Sequence, residues 1–201
     1  MLAIAGGKGG VGKTTTALGV GVALAGRRRD PVLVDADTDA PNLHLLADVA
    51  DAGVTALADG ADVADAATPS PRYEGVCVVG SRPGAPIERA LRRLVTDRPV
   101  VVDAPAGAAP DAVLPLRVAE AAILVTTPDP AAVADARKTA SIARSLDTDV
   151  VAWMVARSDR VPDAVARVAG STPVVPVPER TDPPREAGAA FDAAVSAWVN
   201  A

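Results

Sequence analysis

Between a short apolar run at 2–5 and a segment of helical character lies Gly7-Lys8-Gly9-Gly10-Val11-Gly12-Lys13-Thr14, a glycine followed after four residues by Gly-Lys-Thr. The pattern constrains the fold tightly, because its chemistry works only where a strand ends and a helix begins. Glycines reach backbone conformations closed to other residues, so successive N–H groups can turn inward on phosphate oxygens. A helix starting near Lys13 adds the positive end of its dipole. On this reading Gly9, Gly10, Val11 and Gly12 cradle phosphates, and Lys13 bridges the β and γ positions. Thr14 offers a hydroxyl to Mg²⁺, and Thr15 reaches the α-phosphate side. The competing reading is a glycine-rich turn with no ligand, which the agreement of motif and context disfavours.

The rest of the chain supplies the strands such a loop requires. Short apolar runs at 2–5, 32–34, 76–79, 100–102, 123–125, 150–155 and 174–177 alternate with helix-length segments. They are nearly continuous rather than alternating, which predicts strands covered on both faces. The expected class is therefore α/β, a doubly wound, mostly parallel sheet of about seven strands with helices on both faces. Ile87, Ala90, Leu91, Leu94 and Val95 mark one helical stripe, and Val133, Ala136, Ala140 and Ala143 another, the latter behind an Asp129-Pro130 start. A last helix over 184–199 should bury Phe191, Val195 and Trp198, while 68–72 reads as a loop.

Composition narrows the function classes. At 201 residues and 49% hydrophobic the chain reads as one domain, 1–201, able to bury a full core. A net charge of -5 disfavours a general nucleic-acid binder. The single cysteine, Cys77, excludes a disulfide framework and an intramolecular Cys-x-x-Cys metal pair, and so an iron–sulfur cluster held that way. No charged leader precedes a long apolar run and no stretch has the ~20 apolar residues a bilayer span needs, so a soluble, cytoplasmic protein is expected. Lysine occurs only at Lys8, Lys13 and Lys138, in a chain otherwise rich in arginine. Two of the three sit in the glycine loop, where a compact ammonium suits a phosphate better than a planar fork.

A phosphate loop needs a magnesium-organising carboxylate at the end of a neighbouring strand, and Asp103 closes the run at 100–102. It reads as a ligand acting through water, against the plainer role of helix cap. Gly107 beyond it offers a hinge.

Lys8-Gly9-Gly10-Val11-Gly12-Lys13-Thr14-Thr15 resembles the deviant Walker A motif, KGGxGKTT, of the MinD/ParA family of ATPases. The resemblance extends over nearly the whole chain. It implies that Lys8 crosses a homodimer interface to the partner's nucleotide, acting like an arginine finger. The segment 34–45 resembles switch I of archaeal MinD-like ATPases, which implies that Asp37 positions the attacking water while Asp35 and Asp39 tune Mg²⁺ and the loop. Segment 103–107 resembles switch II, and 126–137 the dimer-facing helix with Asp135 at the interface. Arg157 and Pro178 match the base-proximal end, although Ala156 stands where the family has an adenine-reading asparagine. The implied function is an ATP- and Mg²⁺-dependent switch, slow in turnover, that dimerises around ATP and positions a partner. Metal-centre maturation and ATP-dependent ligation on the same fold are the alternatives. No lysine or arginine follows Arg185, so no stable membrane anchor is expected, and the arginines at 27–29, 89, 92, 93 and 98 read equally well as solvated faces as a DNA contact.

Overall fold

In an extended strand successive side chains leave on opposite faces, so a strand covered on both sides is apolar throughout. The computed structural model, which describes residues 1–107 and 110–200, builds its sheet this way. The first half of the chain runs β1 (Leu2–Ala5), α1 (Lys13–Gly26), β2 (Val32–Asp35), α2 (Leu43–Ala47), α3 (Gly53–Asp59), α4 (Val63–Ala66), β3 (Thr68–Pro69), β4 (Cys77–Val79) and α5 (Ile87–Arg93). The second runs β5 (Val100–Asp103), α6 (Pro110–Val118), β6 (Ala121–Thr126), α7 (Pro130–Ser145), β7 (Asp149–Ala156), α8 (Asp163–Ala169), β8 (Val174–Val177), α9 (Pro183–Glu186) and α10 (Gly188–Val199).

Leu2, Ile4, Leu33 and Val101 pack into one cluster with α1 and α10. Their strand neighbours face the other way: Val32, Val34, Val100 and Val102 meet α3 and α5, while Ala3 and Ala5 meet α7 and α8. Helices therefore cover both faces, as expected of a doubly wound sheet. The strand order is β3-β4-β2-β5-β1-β6-β7-β8, with every pairing parallel except β3 with β4. All the C-terminal strand ends except that of β3 thus share one rim.

The seven apolar runs all form strands, and an eighth joins them. Thr68–Pro69, expected as loop, pairs antiparallel with Val78 and Cys77. A proline cannot donate to a ladder, so this pairing survives only at the sheet edge it occupies. The stripe on α5 stops short of expectation: the helix ends at Arg93 and Val95 is 85% exposed. The C-terminal helix is broken at Ala187 into α9 and α10; Phe191 and Val195 are fully buried while Trp198 is only partly so. On α7 the stripe is as read, and the Asp129 side chain accepts from the Ala131 N–H at 2.7 Å. Cys77 is half-buried in β4 rather than in the interior. Among the described residues no helix is long and apolar enough to cross a membrane.

Candidate functional site

The strand β1 ends in the middle of the sheet, and the glycine loop leaves it toward the rim. Gly12 precedes α1 with φ of 98°, a left-handed conformation that a side chain would strain. Gly7 is constrained differently: a Cβ there would come within 2.6 Å of the Asp135 backbone on α7. The loop is wedged against that helix, and only hydrogen fits.

Two adjoining cavities open along it. The first, about 490 Å³, is lined by Gly9, Gly10, Gly12, Lys13, Thr14 and Thr15 from the loop and α1, and by Asp37, Asn42, Leu46, Pro105 and Ala106 from facing segments. The second, about 240 Å³, shares Gly10, Gly12 and Thr15 and adds Val11, Ala156, Arg157, Pro178, Glu179, Pro183 and Phe191. One end is thus polar and charged, the other largely apolar, a division that suits a phosphorylated ligand with a flat, weakly polar body.

The charged end rests on two carboxylates paired across the sheet, Asp35 on β2 opposite Asp103 on β5. They do different work. The two oxygens of Asp35 accept from the Asp37 N–H at 3.2 Å and the Leu43 N–H at 3.1 Å, so this side chain folds the segment 37–43 onto the site. Burial nonetheless pushes its carboxyl up to about 7, those backbone hydrogen bonds pulling the other way. Asp103 has neither oxygen hydrogen-bonded, and burial pushes it up to about 8; the nearby Thr14 hydroxyl and the Lys13 ammonium oppose the shift, while Asp35 adds to it. A buried carboxylate with unused oxygens is costly unless something cationic arrives. Its place beside Thr14 fits a magnesium ion held through water, with Thr14 as the direct protein ligand. Among the described residues no set of three or more His, Cys, Asp or Glu side chains could hold a metal alone.

Lys13 is 7% exposed and its ammonium donates to the Lys8 carbonyl at 3.4 Å. Burial lowers its pKa, against the pull of Asp103 and Asp37. Asp37, half-buried at the cavity wall, uses one oxygen to accept from the Ala40 N–H at 3.0 Å. Lys8 lies on the rim, 48% exposed, 3.3 Å from Asp129 of its own chain. Asp135 pairs with Lys138 one turn along α7. His44 packs against the site with its Nδ1 4.0 Å from Asp35 and no hydrogen-bond partner.

At the apolar end Arg157 adopts φ of 57°, uncommon for a non-glycine residue, and its guanidinium donates to the Gly10 carbonyl at 2.7 Å. It braces the loop from outside. Pro178 and Ala156 line the cavity, as does Phe191, which the sequence marked only as core. Leu46 escaped the sequence reading, and Asn42 entered it only as part of the segment resembling switch I; both line the cavity because of the turn that Asp35 folds.

Residues 2–182 match the CobQ/CobB/MinD/ParA nucleotide binding domain. An uncharacterized ATP-binding protein of Methanocaldococcus jannaschii is 32% identical over 171 residues, 78% of this chain and 63% of its own length. The chain thus spans somewhat under two thirds of that relative. The cell division ATPase MinD of Pyrococcus furiosus superposes with a TM-score of 0.81 at 25% identity, covering 99% of this chain and 98% of that one. The septum site-determining protein MinD of Pyrococcus horikoshii, solved with Mg-ADP, gives 0.80 at 25% identity, covering 96% and 93%.

Proposed function

The chain belongs to the CobQ/CobB/MinD/ParA nucleotide-binding family, and from that premise we propose that it is a magnesium-dependent ATPase that dimerises around ATP and uses hydrolysis to release a partner it helps to position. The observation that carries the reading is Asp103, a buried carboxylate with both oxygens unpartnered beside Lys13 and Thr14 at the glycine loop. That arrangement is hard to keep without a bound cation and anion to compensate it. Relatives that bind ATP or Mg-ADP on the same fold support the same ligand here.

Within this reading the loop N–H groups and Lys13 would hold the β and γ phosphates, and Thr14 and, through water, Asp103 would hold the metal. Magnesium supplies charge that offsets the phosphate oxygens. Asp37 has one oxygen committed to the Ala40 N–H, leaving the other to hold the attacking water. Arg157 fixes the loop, and Pro178, Ala156 and Phe191 take the base. Asp35 shapes the segment that carries Asp37 rather than ligating the metal. Lys8 leaves Asp129 to reach the second subunit's phosphates, and Asp135 lies at the same interface. This favours the switch over a ligase, in which an exposed loop lysine has no task.

Light scattering on Asp37→Ala protein, with Mg-ATP, Mg-ADP or no nucleotide, tests the proposal. A dimer with Mg-ATP alone is expected. Nucleotide binding without a dimer in any condition would leave a passive binder or a metabolic enzyme.

A further inference from the structure

The chain's one tyrosine lies outside both cavities yet is tied to the wall of the apolar one. Tyr73 is 4% exposed, and its hydroxyl donates to Asp182 Oδ1 at 3.2 Å. Asp182 Oδ2 accepts from Arg72 at 3.4 Å and Arg185 at 3.2 Å. Both guanidiniums lie over the Tyr73 ring, 5.4 and 5.1 Å from its centroid, within cation–π range. Arg185 also donates to the Arg72 carbonyl. The tyrosine's own segment is secured by Ser70, whose hydroxyl accepts from the Arg72 and Tyr73 N–H groups and donates to the Ala47 carbonyl.

What this cluster holds is the stretch leading into it. Among the described residues, 178–181 make no backbone–backbone hydrogen bond, although Pro178, Glu179 and Arg180 line the cavity, as does Pro183. The stretch is fixed only at its ends. One end is the pairing of Val177 with Ala156 in the sheet, and the other is Asp182 at the start of α9. Its position is therefore set by where those two ends sit, and the Asp182 end is fixed by the side-chain cluster in addition to the burial of Pro184 beside it.

We propose that Tyr73, Arg72, Arg185 and Asp182 form a clasp that positions the wall 178–183 against the base of a bound nucleotide. Tyr73 is a positioning residue, acting on affinity through a loop it does not share. The inference rests on the nucleotide reading of the cavity given above. Because Pro184 is buried and Phe191 anchors α10 independently, cutting the clasp leaves the fold standing.

Tyr73→Phe removes only the hydroxyl, and Asp182→Asn weakens all three contacts. Binding of Mg-ADP and of magnesium pyrophosphate, which lacks a base, separates the two ends of the site. Expected is a 3- to 30-fold loss of ADP affinity, larger in Asp182→Asn, with pyrophosphate affinity changed less than twofold. Limited trypsin digestion should cut the variants after the exposed Arg180 at least fivefold faster than the parent, with the other sites unaltered. Unchanged ADP affinity, equal weakening of both ligands, or unchanged cleavage after Arg180 overturns the clasp. A parent protein that binds neither ligand overturns the nucleotide reading, and this inference with it.

Discussion

Asp103 and Asp35 sit side by side at the strand ends, their carboxyls pushed up to about 8 and about 7 by burial. Both folded values lie above the unfolded one of about 4, so the folded chain holds more protons than the unfolded chain between those limits. Their contribution to stability is therefore fully present below about pH 4 and is lost as pH rises through 7 and 8. The ligand-free protein should melt several degrees lower at pH 8.5 than at pH 6 by differential scanning calorimetry. Asp103→Asn, which cannot ionise, should flatten most of that slope and at the same time weaken Mg-nucleotide binding about tenfold or more. Lys8→Ala addresses the rim instead. Nucleotide affinity should stay within about threefold of the parent, while ATP-dependent dimerisation and turnover fall at least tenfold; unchanged association by light scattering would sink its cross-dimer role.

Elements show where local patterns suffice and where they fail. Helix α7 was legible from its start and along its length, because a capping aspartate, a proline in the first turn and a regular apolar stripe all act within a few residues. The stripe on α5 misled at Val95, since helical spacing continues past the point where the chain must turn into 96–99 to start β5. Edge pairing at Thr68–Pro69 escaped because two residues have no periodicity and a proline argues against a strand. Packing between α1 and α10 depends on a glycine: a Cβ at Gly19 would lie 2.4 Å from the Phe191 ring. Gly19→Ala should cost about 1–3 kcal/mol in urea denaturation, the price of overpacking a buried contact. It should also disturb the apolar cavity, where Phe191 forms part of the lining.

At the scale of the molecule, the cavity around the glycine loop was readable in one stretch of sequence, whereas of the apolar cavity's far wall only Arg157 and Pro178 were. Lys13, Thr14 and the loop glycines lie in one contiguous motif, and Asp103 is found by asking which strand neighbours β1. The wall at 178–183 is held by Tyr73, more than a hundred residues away, through contacts that have no linear signature. The Lys8–Asp129 pair likewise joins positions 121 apart. Parallel strand direction gathers the loops that line the cavities on one rim and leaves the opposite rim, with the exposed turns at Arg28 and Gly170, away from both cavities. The molecule consequently has a natural handle: a dye, a bead or a fused domain attached at those turns would grip it by the end remote from both cavities and leave the cavities open.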